Sequence, residues 1–219
     1  MTHKAKAPDI TTVRALLDRH ACPVPFHAVR TRLLGNIATP VLGASPLRAV
    51  EALWGGELPE LDNMADAEVL LAALLQGLWN DLARHQKRSQ PFRLTRLTMD
   101  LSAADLRHFA EVRLQELDGF LDGLFGEEAE IELPERAHLA VGMLQKMRGM
   151  MSGVVDLVDR DLVAHDLSDE EQGQIAETFH QLREMTRIME TEIHEAVLSC
   201  ARARRQGLTG VPTASPVLH

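Results

Sequence analysis

Between Leu47 and Asn80 two helical patterns are separated by a break that no regular element can cross: Gly55-Gly56, then Leu58-Pro59 after a single glutamate. Glycine enters left-handed backbone freely and proline cannot continue a helix, so the chain must stop and turn here. Upstream, Ser45 and Pro46 read as the N-cap and first residue of a short helix ending at Trp54. Downstream, a helix over about 64–86 places Ala67, Leu70, Leu71, Leu74, Leu78 and Leu82 on one face, widened by Leu75 and Trp79. A stripe that broad must touch more than one neighbour. Both tryptophans of the chain lie in this segment.

The same period runs through the rest of the sequence. Asp9 or Thr11 can cap a short helix to about His20 with Val13, Leu16 and Leu17 inward, and Cys22, Pro23 and Pro25 break it. From Phe26 to about Gly43 the pattern is helical, with Gly35 and Pro40 predicting a bent or split rod. Residues 87–101 alternate Phe92, Leu94, Leu97 and Met99 but offer a strand no partner, so they read as an ordered connection. Ser102 with Asp105 starts a helix carrying Leu106, Ala110, Leu114, Leu117, Leu121 and Leu124 to Gly126. Pro134 opens another, to about Val158, apolar around most of its circumference and expected to be the most buried of the set. Its Gly142, Gly149 and Gly153 are expected to mark close approach by a neighbour. A last helix from Ser168 to about Gln206, with Ile175, Phe179, Leu182, Met185, Met189, Ile193, Ala196 and Cys200 inward, stops before Gly207 and would span roughly 55 Å. With aromatics at 4% and no tyrosine, Leu, Ala, Val and Met must fill the interior, which suits helices rather than pleated sheets. The fold expected is all-α: a multi-helix bundle with short N-terminal helices and a long C-terminal helix.

Few residues are arranged as reacting groups are. Glu135 with His138 and Glu177 with His180 have the Glu-x-x-His spacing of di-iron bundles. However, 18 glutamates and 10 histidines in 219 residues produce that spacing by chance about once. His20, Cys22 and His27 could supply three soft ligands without a visible fourth, and otherwise read as a small buried thiol flanked by two surface imidazoles. Cys200 reads as a core thiol, since no acid or histidine is placed to activate it. Met143, Met147, Met150, Met151, Met185 and Met189 are either gap-filling core or a surface that grips partner helices. Five glutamates in 127–135 and the basic group Arg84, Lys87, Arg88, Arg93 and Arg96 flank helix ends, where the helix dipole favours those signs. No phosphate-cradling glycine loop, nucleophile elbow or paired catalytic carboxylate motif occurs, so no cofactor, metal or catalytic residue is expected.

The ordered segments LLGNIATPVLG, the Trp54 helix with GGELPE, QGLWNDLARHQ and ELDGFLDGLFG resemble the YecA/YgfB-like (UPF0149) family over Leu33 to Leu124. Gly119, Phe120, Leu121 and Gly123 match the family's Gly-Phe-Leu-x-Gly segment. The resemblance implies an all-helical domain without established catalysis. The cysteine-rich zinc-binding tail of some members is not expected here, where the last residues read VPTASPVLH. The organisation expected is a flexible 1–8, one helical domain over 9–206 comprising the family-like 33–124 and an additional hairpin 134–206, and a disordered 207–219. The function expected is a non-enzymatic cytoplasmic regulator or adaptor acting by protein–protein interaction through Trp54, Glu57, Leu58, Phe120 and Phe125. The alternative is a metal-dependent carboxylate/histidine bundle enzyme. A net charge of −9 disfavours nucleic acid; MTHKAKAPDI has no apolar run after its basic residues and no 18-residue apolar run occurs, so neither secretion nor membrane spanning is expected. A homodimer is compatible with the broad apolar faces.

Overall fold

The computed structural model describes residues 10–41, 45–98, 100, 102–126, 131–162 and 169–209. The expected flexible 1–8 and the Ser168 cap lie outside them, as does the 210–219 part of the expected tail. The architecture is all-α. The elements are α1 (Ile10–Arg19), α2 (Phe26–Ala38), α3 (Pro46–Glu51), α4 (Met64–Leu71), α5 (Asn80–Leu82), α6 (Ala103–Phe125), α7 (Glu135–Leu157) and α8 (Asp169–Thr209). No helix among the described residues is long and apolar enough to cross a membrane.

Local chemistry sets most boundaries. The side chain of Ser45 accepts from Arg48 N at the start of α3, with Pro46 in the first turn. Ser102 accepts from Asp105 N at 3.1 Å and donates to Asp105 Oδ2 at 2.8 Å, and the same carboxylate oxygen accepts from Asp100 N at 3.2 Å, which caps α6. Asn63 caps α4 in the same way, accepting from Asp66 N at 3.0 Å. After α3 a 3₁₀ turn, Ala52–Trp54, ends at Gly55 and Gly56, whose φ values of +88° and +113° only glycine adopts without strain. Trp54 Nε1 then donates to His20 O at 2.9 Å, tying this turn to the end of α1.

The helix expected over 64–86 is not α-helical throughout. Between α4 and α5 the run Ala72–Trp79 is π-helical, and Ala83–Gln86 ends as a 3₁₀ turn. A π turn closes i to i+5 bonds and takes more residues per turn, so leucines spaced four apart stay in line. Leu70, Leu74, Leu78 and Leu82 are accordingly all buried.

The centre of the molecule is the contact between α2 and α6. His27 Nε2 lies 2.6 Å from Gln115 Oε1, Gly119 lies against Ala28 and Thr31, Gly123 against Arg32, and Gly35 against Gly123 and Leu124. The pairs advance in the same direction along both rods, so the two helices run parallel. A methyl group on Gly123 would fall 2.0 Å from Arg32 O, and one on Gly35 2.2 Å from Phe120 O. Gly35 therefore does not split α2, which continues as α-helix through it to Ala38. It is where the second backbone passes.

Around this pair, α7 returns antiparallel to α6, with Arg148 bonded to Asp118 and Arg107 to Asp159. α8 runs parallel to α6, with Phe109 edge-on to Phe179 at 6.3 Å and Arg113 Nε donating to Thr186 Oγ1 at 3.3 Å. At about 1.5 Å per residue α8 spans roughly 60 Å, and it continues through Gly207 to Thr209 rather than stopping at Gln206. Its far end is docked: Arg204 Nη2 donates to Ile37 O at 2.6 Å, filling one of the carbonyls left open at the end of α2.

Two expectations about α7 are overturned. It buries Ala137, Ala140, Val141, Leu144, Met147 and Met151 but exposes Leu139, Met143, Met150 and Leu157, so it is amphipathic and less enclosed than α2. A Cβ at Gly142, Gly149 or Gly153 would meet nothing within 4 Å. These glycines mark no internal contact.

The two classes of glycine predict opposite responses. Gly123→Ala is expected to lower unfolding free energy by about 1–3 kcal/mol or more, because backbone rather than a movable side chain blocks the methyl. Gly149→Ala is expected to raise it by about 0.5–1 kcal/mol through helix propensity alone. Urea unfolding followed by circular dichroism reads both; equal effects would contradict the packing described.

Candidate functional site

The five residues expected to form an interaction surface differ in their exposure. Phe120 is fully buried beneath α2. Trp54 and Leu58 are half-buried against the core and Glu57 is exposed. Phe125 alone opens onto a cleft, of about 360 Å³, whose other walls include Asn36, Thr39, Arg48, Ala52 and Gly123. The physical reason lies in α6: Phe120 sits between Gly119 and Gly123, on the face that carries the α2 contact.

The Glu-x-x-His pairs are held apart. Arg136 bonds Glu192 at 2.8 Å and approaches Glu195 at 3.6 Å, so Glu135 and His138 lie beside that part of α8. His180 is twelve residues before Glu192, roughly 18 Å along the same helix. All four residues are exposed. Among the described residues no three His, Cys, Asp or Glu side chains are placed to hold a metal ion. His27 is engaged with Gln115, and the Cys22 thiol faces Leu53 O at 3.9 Å. Burial pushes the Cys22 thiol up, and pushes Cys200 up to about 11 despite the nearby Arg204. Neither is poised as a nucleophile.

What the surface does offer is an apolar stripe. Leu139, Met143, Met150 and Leu157, at spacings of four and seven, fall on one face of α7 and are 40–60% exposed. The open positions Gly142, Gly149 and Gly153 flank them. Ile188, 45% exposed, is one turn from Glu192 on the side of α8 that meets Arg136 of α7. Large apolar side chains beside three bare glycines make ridges and notches that another helix could fill. The methionines expected to be either core or grip are thus divided: Met147, Met151 and Met189 are core, while Met143 and Met150 are surface. Alternation of buried and exposed methionines at helical spacing was the signal available for this.

A second constellation escaped the sequence. The connection after Ala83–Gln86 has no strand partner, yet Phe92 and Leu94 are buried, so its backbone groups need other partners. Side chains supply them. Glu190 accepts from Arg93 Nη1 at 2.5 Å and Leu94 N at 3.0 Å, Glu116 accepts from Thr95 N at 2.7 Å, and Arg113 Nη2 donates to Thr95 O at 2.8 Å. Arg30 Nη2 donates to Arg93 O at 3.0 Å and its guanidinium lies 5.0 Å from the centre of the Phe92 ring. Arg113 and Glu116, one turn apart on α6, are themselves bonded and fully buried. No periodicity announces them, because a charged residue on a buried face reads as an error in the stripe until its partners are seen.

No protein-family model, curated protein or solved structure matches this chain.

The buried pair is expected to be a stability determinant. Glu116→Ala leaves Arg113 and Thr95 N without their acceptor and should cost about 3–5 kcal/mol, read as a lowered urea midpoint. An unchanged midpoint would show that water replaces the carboxylate. Cys200 should resist iodoacetamide near neutral pH in the folded protein and react once urea unfolds it; rapid labelling of the native state would contradict its burial and raised pKa.

Proposed function

We propose that this is a non-enzymatic regulatory or adaptor protein that binds a partner protein, accepting an apolar helix of that partner along the α7–α8 face. The observation that carries this reading is the exposed row Leu139, Met143, Met150 and Leu157 beside open Gly142, Gly149 and Gly153. Four large apolar side chains exposed in one row, interrupted only by Lys146, cost solubility unless something covers them. Thioethers suit the task because they are flexible and polarizable, and bare glycines let a second backbone come close. The buried Cys200 thiol, the half-buried Cys22 thiol raised by burial and the separated carboxylate–imidazole pairs give chemistry no focus, which favours binding over catalysis.

The proposal retains kinship with the YecA/YgfB-like helical domain over Leu33 to Leu124. Its support is that two of the resembling segments, LLGNIATPVLG and ELDGFLDGLFG, hold Gly35, Gly119 and Gly123, the three glycines of the central contact. A cytoplasmic setting belongs to the same reading, resting on two unpaired cysteines.

Replacing Met150 with a photo-crosslinking amino acid in the full chain tests the docking face. One defined protein adduct is expected, and Leu139→Glu with Met143→Glu should abolish it without changing the helical circular dichroism. An adduct with a second copy would assign the face to self-association. Indiscriminate labelling, or an adduct indifferent to the two substitutions, would refute the proposal.

A further inference from the structure

Between residues 93–97, α6 and α8 lies a cleft of about 560 Å³. Five arginines line it: Arg93 and Arg96 from the connection, Arg113 from α6, and Arg183 and Arg187 from α8. Such a concentration is unexpected in a chain of net charge −9. Three of the five have a carboxylate: Arg93 bonds Glu190, Arg113 bonds Glu116, and Arg187 bonds Glu184 at 2.6 Å. Arg96 and Arg183 have no acidic partner among the described residues. The local balance is therefore two positive charges in excess, in a concavity whose apolar lining includes Phe109, Leu94 and Leu97.

The site is also built rather than merely charged. Arg113 is fixed from four sides, by Glu116, Thr95 O, Thr186 Oγ1 and the Phe109 ring 4.9 Å away. A guanidinium has five N–H donors, and these bonds use three. Arg93 is held by Glu190, which also accepts from Leu94 N and so fixes the wall. Rigid planar donors of this type match the oxygens of a phosphoryl group better than lysines would. The volume falls within the roughly 300–1,000 Å³ of small-molecule sites. A long polyanion would meet the repulsion of the acidic whole, whereas a small anion responds to the field focused in the cleft.

We infer that this cleft binds a small organic phosphate, with Arg96 and Arg183 supplying the uncompensated charge and the half-buried Leu97 receiving the carbon body. It is independent of the docking face on α7. The occupant neutralises charges that otherwise repel one another across the concavity, and it bridges α6, α8 and the connection.

Calorimetric titration of the full chain, free of divalent metal, with inorganic pyrophosphate and with adenosine diphosphate tests this. Saturable one-to-one binding of pyrophosphate is expected, with the nucleotide tighter. Arg96→Ala and Arg183→Ala, both at exposed positions, should each weaken it about tenfold, the loss of one charge-assisted hydrogen bond. Arg202→Ala, at an exposed position near the other end of α8, should not. No saturation by pyrophosphate up to about 1 mM, or undiminished affinity in both cleft variants, overturns the inference. So does a nucleotide weaker than pyrophosphate, which removes the organic body. Tighter binding of a single-stranded oligonucleotide or an acidic phosphopeptide, lost in the same variants, would reassign the cleft to a macromolecule and equally overturn it.

Discussion

The backbone-to-backbone contact of α2 with α6 is the constraint on which the other helices depend. Gly35, Gly119 and Gly123 let the two backbones meet directly, and the neighbouring carbonyls come within 2.0–2.6 Å of where a methyl would stand. Helices that approach this closely bury their flanking side chains on both sides of the seam. Leu33, Leu34 and Ile37 of α2 and Leu117, Phe120 and Leu124 of α6 are accordingly all buried. The parallel direction of the pair then leaves one side of α6 for α7 and another for α8. α8 is long enough for its far end to reach the C-terminus of α2, where Arg204 meets Ile37 O.

Polar bonding does a different job here from apolar burial. A connection without regular structure crosses the molecule with Phe92 and Leu94 in the core, and every such crossing exposes amide groups to a dry environment. Glu116, Glu190, Arg113 and Arg30 take the place of a missing strand. The arginine-lined cleft results from the same arrangement, because side chains that clamp the connection are also the walls beside it.

Several elements were legible because a short-range rule governs them. Ser45-Pro46, Ser102 with Asp105 and Gly55-Gly56 act within one turn of chain, and all three are found in the expected roles. Glycine was misread for the same reason. The residue type announces either flexibility or close approach, and only a neighbour distinguishes them: Gly35 was expected to break α2 and instead packs it, while Gly149 was expected to pack α7 and meets nothing. Phe120 shows the corresponding limit for the interaction surface. An aromatic beside glycines suits a groove as well as a core, and the position of α2 settles which.

By itself the sequence determined the class of the protein: helices, their approximate ends, and an interior of leucine, alanine and methionine, all consequences of period and of bonding within a turn. Tertiary structure decided which glycines are contacts, which methionines face outward, and that arginines at positions 93, 96, 113, 183 and 187 share one cleft. Those facts depend on residues up to 94 positions apart in the chain, and no local rule couples them. The packing of α6 against α2 and α8, with residues 93–97 clamped beside them, brings these residues together.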